Sequence, residues 1–260
     1  MPSDVAIRKA KPPPEYPPEE GSYLRGNDYS PVAVVVLLHT FYEKIPSFLQ
    51  DLVRVSIEAG AALAGYLQTE NVGVEKIICN IVANPNIRYL LMCGVESEGH
   101  TPGQTLRALM QNGVDEKRRI IGAEAPTPYL YNIPLEAIER FRKQVTLIDL
   151  VQEDDPILAR RPEVVKEVIR CCYQEAPTRF MRWSLYDPGA YPEPPMCFKI
   201  TWRIEKPWTV RSPEEETYLK SIFEAAEAER LRQTRRAEDE RLMRLLLPRG
   251  PAADTESKSR

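Results

Sequence analysis

The chain is predicted to be an α/β protein, a Rossmann-like three-layer sandwich with a mostly parallel sheet, followed by an extended or hairpin segment and a long charged helix. Three observations lead there. Short runs such as PVAVVVLL (Pro31–Leu38) and, but for Arg88, IRYLLMC (Ile87–Cys93) are apolar at successive positions, as a strand covered on both faces requires. Segments with helical periodicity separate these runs, and strands alternating with helices imply parallel pairing. Beyond residue 176 the pattern changes to scattered prolines and then to dense charge.

The elements follow in order. Lys11-Pro-Pro-Pro-Glu-Tyr-Pro-Pro-Glu-Glu is unsuited to a helix or a central strand and reads as an extended or disordered arm over residues 1–27. An α/β domain is expected over 28–176. After its first strand, Ser47 opens a long helical pattern, FLQDLVRVSIEAGAALAGYLQ, whose second half is weakened by Gly60 and Gly65. Lys76–Val82 fits a strand or a helix end, and Asn84-Pro85-Asn86 a turn before the strand Ile87–Cys93. A helix is expected from Pro102 to about Gln111, with Thr101 as N-cap, Gln104 completing a capping box and Gly113 as the stop. A short strand at Arg119–Gly122, a helix over Leu135–Lys143, a strand over Gln144–Leu150 and a helix over Pro162–Cys172 complete the domain. Residues 177–211 read as an extended or hairpin extension, with CFKITWRI (Cys197–Ile204) alternating. Residues 212–248 read as a helix with pairs such as Glu240–Arg244 at helical spacing, and 249–260 as a disordered tail.

Bulk properties exclude several function classes. A net charge of -3 over 260 residues gives no field suited to nucleic acid. The longest strongly apolar run, Val32–Leu38, is far short of the roughly 20 residues of a membrane span. No apolar stretch follows the basic Arg8, Lys9 and Lys11, so no secretory signal is expected. The five cysteines have no metal-site spacing; reduced thiols and a cytoplasmic location are expected.

The strand ending at Cys93 runs into Gly94-Val-Glu-Ser-Glu-Gly-His100 and then the predicted helix. Ligands of open α/β sheets bind beyond the carboxyl ends of the strands, which places His100 at the functional edge. Gly94, Gly99 and Gly103 surround it, and a glycine in a first helical turn makes sense where something large lies against the backbone. Imidazole is a good ligand for cobalt and other borderline metals. With His39 the sole other histidine, one protein ligand suffices only if a macrocycle already holds the metal. Glu98 is positioned to orient the imidazole. From the residues alone, a histidine before a helix more usually just bonds a backbone carbonyl or water.

Longer stretches resemble a known family. EAGAALAG (Glu58–Gly65), TENVGVEKII (Thr69–Ile78), ANPNIRYLLMCGVESEGHTPGQTLRAL (Ala83–Leu109), NGVDEKRRIIGA (Asn112–Ala123) and NIPLEAIERFRKQVTLIDL (Asn132–Leu150) are similar to the A subunit, the corrinoid-binding one, of tetrahydromethanopterin S-methyltransferase, over roughly Gly26 to Ala176. The resemblance implies a corrinoid, cobalamin or a related cobamide, with His100 as axial ligand to cobalt. It implies a carrier that accepts a methyl group from a methyl-tetrahydropterin or tetrahydrofolate and passes it on to a partner methyltransferase or thiol. Partners would be a methyltransferase component that binds the methylated pterin or folate, and a second methyltransferase. The matched segments add Gln104, Gly122 and Ala123, the loop Thr69-Glu70-Asn71, and Asn84 as candidate contacts. Departures are the absence of the family's membrane anchor and the loop Glu124-Ala-Pro-Thr-Pro128, where the family is Gly-rich and apolar. Two other readings stand beside the carrier: a cofactor-free scaffold derived from the family, and an α/β enzyme binding a nucleotide or phosphate at the helix following Thr101.

Overall fold

A computed structural model describes residues 8–40, 44–152, 155 and 157–201, all within the unit Met1–Pro207. The expected helix 212–248 and tail 249–260 lie outside the described residues, as does the extension beyond Thr201.

The domain is α/β. A five-stranded sheet has the order β1 (Tyr23–Arg25), β3 (Leu63–Leu67), β2 (Val32–Leu37), β4 (Tyr89–Gly94), β5 (Thr146–Asp149). Every pairing is parallel except that of β1 with β3. Strands β2 and β4 are buried at every position, because helices cover both faces. Helices α2 (Val72–Val82), α3 (Pro102–Asn112) and α4 (Leu135–Gln144) pack on one face, around Val35, Leu37, Leu90 and Met92. Helices α1 (Ser47–Glu58) and α5 (Pro162–Cys172) pack on the other, around Val34, Val36, Leu91 and Cys93. Successive β2 and β4 side chains thus alternate between two separate apolar layers, which is why neither strand shows a polar alternation.

Two elements differ from the sequence reading. The helix opened by Ser47 stops at Glu58, because Gly60 takes φ +106 and turns the chain back. The run that follows is strand β3 and not the second half of a helix; it pairs with β2 from Val34↔Ala64 to Leu37↔Leu67. Glycine at 65 serves close packing with β1, since a Cβ there would lie 2.4 Å from Tyr23 Cβ. Lys76–Val82, open between strand and helix, is the latter part of α2. At Arg119–Gly122 the chain makes isolated bridges, Val114↔Ile120 and Arg119↔Tyr129, and no full strand.

The Pro-rich arm lies against the domain from residue 8 onward. Tyr16 is buried in the core, Asn86 bonds both the amide and the carbonyl of Ala10, and Lys9 pairs with Asp187. The core therefore reaches back beyond Asp28. After α5 a small hairpin, β6 (Thr178–Phe180) with β7 (Trp183–Leu185), precedes an irregular stretch. The described part of the alternating segment, Cys197–Thr201, forms no strand. It is tied down through Ile200, whose amide donates to Glu19 at 2.6 Å.

From β2 the chain crosses through α1 on one face to β3, and from β4 through α3 and α4 on the opposite face to β5. The connections part in opposite directions between β2 and β4. A sheet of this kind opens its crevice at that point, beyond the carboxyl ends of the strands.

Candidate functional site

The loops at this edge are Gln68–Asn71 after β3 and Val95–Thr101 after β4, and they meet at His100. The imidazole Nδ1 lies 2.9 Å from Glu70 Oε2. The histidine side chain is 56% exposed while that of Glu70 is 1% exposed, so a buried carboxylate holds an imidazole that faces outward. The other carboxylate oxygen of Glu70 accepts from the Thr127 amide at 3.1 Å and from the Thr127 hydroxyl at 2.8 Å. Asn71 donates to the same hydroxyl at 3.1 Å. A carboxylate facing Nδ1 can only accept, which in the neutral ring selects the tautomer with the proton on Nδ1 and the lone pair on Nε2.

Glu98, expected to orient His100, is exposed, and Glu70 takes that role from a different loop. Glycines 94, 99 and 103 divide by cause. Gly94 has φ +94, and a Cβ there would lie 2.6 Å from the Leu37 carbonyl oxygen and 2.7 Å from its amide nitrogen; it is required by the approach of β2. Gly103 packs against its own protein neighbours, since a Cβ would meet the side-chain ends Leu37 Cδ1 at 2.5 Å and Glu96 Oε2 at 2.6 Å, which would have to shift. Gly99, at φ +86, faces open space with nothing within 4 Å.

The start of α3 is also built differently from the sequence reading. Thr101 makes no side-chain cap and sits in the left-handed region at φ 37, ψ 51. Glu96 caps instead, its carboxylate accepting from the Gly103 amide at 3.0 Å and the Gln104 amide at 2.8 Å. An anion already occupies this helix N-terminus, which removes the basis for a phosphate site there. Arg107 lies 3.1 Å from Asp149 and 3.6 Å from Glu96, linking the cap to the end of β5.

Gln104 does not form a capping box. Its side chain donates to the Gly122 carbonyl at 2.9 Å and accepts from the Glu124 amide at 3.0 Å. The loop 122–127 is thereby fastened to α3 at one end and to Glu70 at the other. Ala123 is buried within it, and its carbonyl accepts from Arg119. Thr69 accepts from the Gly73 amide at 3.1 Å, and Asn71 caps α2 through the Val72 amide at 2.7 Å. Asn84 lies at the other end of the sheet. It precedes β4, is fully buried, and binds the Asp28 carbonyl and the Asn86 amide; it is a structural residue remote from His100. His39 is exposed at the end of β2.

A β-branched residue in the left-handed region costs roughly 1–2 kcal/mol, and the buried hydroxyl of Thr101 has no hydrogen-bond partner to offset it. Thr101→Gly should stabilise the protein by about 0.5–1 kcal/mol after the added freedom of the unfolded chain, read from urea unfolding midpoints. A loss of stability would show that the threonine methyl contributes more than its backbone strain.

Among the described residues no group of three or more His, Cys, Asp or Glu is placed to hold a metal ion. The donor set at the edge is one outward imidazole nitrogen, which suits a metal whose equatorial positions are filled by a macrocycle. Among the same residues no helix is long and apolar enough to cross a membrane.

Comparison with known proteins covers this whole domain. The family described as the A subunit of tetrahydromethanopterin S-methyltransferase matches residues 9–206. The A subunit numbered 2 of this enzyme from Methanothermobacter thermautotrophicus is 42% identical over 199 residues, spanning 75% of this chain and 92% of the relative. Its counterpart from Methanothermobacter marburgensis, also numbered 2, is 40% identical over 215 residues, spanning 82% and 99%. The A subunit of Methanopyrus kandleri is 40% identical over 193 residues, spanning 74% and 68%.

Proposed function

Since the chain belongs to the family of tetrahydromethanopterin S-methyltransferase A subunits, we propose that it is a methyl carrier that holds a corrinoid, cobalamin or a related cobamide, through His100. The observation that carries this reading is the engagement of His100 Nδ1 by the buried Glu70, which leaves Nε2 as an outward-facing base. When bound, the corrinoid supplies a cobalt centre able to take up and release a methyl group. The protein's share is positional. Glu70 fixes the tautomer and the ring plane, as carboxylate partners of metal-bound histidines do. Thr127 and Asn71 hold Glu70 in turn. Glu96 and Gln104 anchor the start of α3, so that the loop Val95–Thr101 delivers His100 from a fixed base. Gly99 leaves the approach to the imidazole free of a side chain.

A carrier needs other proteins to activate its methyl donor and acceptor. The partners proposed are a methyltransferase component that binds a methyl-tetrahydropterin or methyl-tetrahydrofolate, and a second methyltransferase or thiol acceptor. The proposed cofactor-binding region is the domain 28–176, with a cytoplasmic setting in which the buried cysteines stay reduced.

The test is a titration of the purified full-length protein with hydroxocobalamin, beside His100→Ala. The wild type should bind one equivalent with the absorption change of imidazole ligation. In the cobalt(II) form, uniform 15N labelling of the protein should convert the axial-nitrogen splitting in the paramagnetic resonance spectrum from triplets to doublets. His100→Ala should lose both signals. Failure of the folded wild type to bind cobalamin or other cobamides would overturn the carrier reading in favour of a cofactor-free scaffold.

A further inference from the structure

Glu75, in the first turn of α2, is fully buried. A buried carboxylate is a costly way to hold a loop, because its hydration is given up. Burial raises the Glu75 carboxyl above its ordinary value, and the bonds from Asn132 and the charge of Arg118 oppose that rise. Both oxygens serve one residue. Oε1 accepts from the Asn132 amide and Oε2 from the Asn132 side chain, each at 2.8 Å. Glu70 is engaged in the same manner, its Oε1 accepting from the amide and the hydroxyl of Thr127. The partners in both pairs are 57 residues apart, so the segment 127–132 docks in step along the start of α2. The Leu130 amide donates to the Arg118 carbonyl at 3.0 Å, and the Ile120 amide to the Pro128 carbonyl at 2.8 Å. These bonds tie the segment to another part of the connection between α3 and α4, so they move with it and do not fix it against α2.

We propose that Glu75 is a positioning residue for His100, acting through Asn132, Thr127 and Glu70. This role presupposes the carrier reading, in which His100 binds the corrinoid. A segment held at one point can pivot, and one held at two points keeps its register. By holding Asn132, Glu75 keeps both Thr127 donors on Glu70 Oε1, which leaves Glu70 Oε2 facing the imidazole at 2.9 Å. Without that second point Thr127 drifts, the Glu70 carboxylate turns, and the ring loses the acceptor that selects its tautomer. Buried polar networks fix a single arrangement when their members are satisfied, and here the arrangement extends from α2 to an exposed imidazole.

The experiment reads the His100 ring in the full-length protein without added ligand, by 15N resonance of the imidazoles at a pH where they are neutral. The chain has two histidines, and His100→Ala assigns the signals. In the wild type the Nδ1 and Nε2 signals of His100 should stand far apart, as for a single Nδ1–H tautomer. Glu75→Leu removes both acceptors at similar volume, and the half-buried Asn132 can turn its donors to water, so a cooperative urea transition is expected. The two His100 signals should then converge by about half of their separation or more as the tautomers mix, while those of His39 stay in place. Hydroxocobalamin affinity should fall about tenfold. Glu75→Gln should restore the wild-type signals, because the Asn132 carboxamide can turn over and offer its oxygen to the new NH2 group. If Glu75→Leu does not fold, Asn132→Ala takes its place and should move the signals in the same direction by less. Unmoved His100 signals in the folded variant would overturn the positioning role and leave the carrier reading intact. Converged signals beside a wild type that binds no cobamide would overturn the carrier reading and leave the hold of Glu75 on the imidazole standing.

Discussion

Glu70→Gln should abolish tight corrinoid binding although it changes one atom and no volume. Oxygen Oε1 of Glu70 faces two donors, the amide and the hydroxyl of Thr127, and the NH2 group of a glutamine cannot accept from them. The glutamine must keep its carbonyl oxygen there, so its NH2 group turns toward His100. Nδ1 then has to accept, which drives the ring proton onto Nε2, the atom proposed to bind cobalt. The substitution selects the wrong tautomer while leaving the packing in place. Loss of a ligand-orienting partner typically costs 10- to 100-fold in metal affinity, and a loss of at least that size is expected for hydroxocobalamin, with the unfolding midpoint shifted by little. Glu70→Ala should lower affinity as well, and in addition reduce stability, since the Thr127 amide and hydroxyl lose their acceptor. Unchanged affinity and an unchanged imidazole-ligated spectrum in Glu70→Gln would show that Glu70 serves the fold alone.

Gly94→Val should destabilise the domain severely, by about 3 kcal/mol or more. Two costs coincide at this position. The backbone has φ +94, a conformation that a β-branched residue rarely enters. The new Cβ would press on the Leu37 backbone at 2.6 and 2.7 Å, and backbone in the middle of a sheet cannot move aside as a flexible side chain can. Because Gly94 ends β4 and begins the loop to His100, any surviving folded protein should also bind corrinoid weakly. The measurement is urea unfolding followed by circular dichroism, with Gly99→Ala as the comparison. Gly99 also has positive φ but open surroundings, so its cost should be limited to about 1 kcal/mol of backbone strain. Equal effects at the two glycines would show that backbone conformation, and not the contact with Leu37, dominates at Gly94.

Much of the domain was legible from local pattern. Pro31–Leu38 is apolar at every position and Ile87–Cys93 at all but Arg88, and a strand between two helical layers has no other means of satisfying both faces. The α5 bounds, Pro162–Cys172, were readable because proline suits a first helical turn and the apolar residues repeat at helical spacing. The same local reasoning failed at Leu63–Leu67. Small apolar residues fit a helix by propensity, and they became a strand because an open edge of β2 lay beside them. It failed again at Thr101, where Thr-Pro-Gly-Gln satisfies the rule for a capping box. The carboxylate of Glu96 reaches the same amides through a loop closure that no local rule describes.

The sequence by itself determined the α/β class, the family, and the placement of His100 beyond a buried strand, since each rests on a continuous stretch of chain. Only the tertiary structure decided which side chain orients the imidazole and which glycines serve packing. It also moved Asn84 to the far end of the sheet. The physical reason is separation along the chain. Glu70 lies 30 residues before His100, and Thr127 lies 57 residues beyond Glu70. These groups meet because parallel strands return the chain to the same sheet edge at every crossover, bringing distant loops within hydrogen-bonding distance.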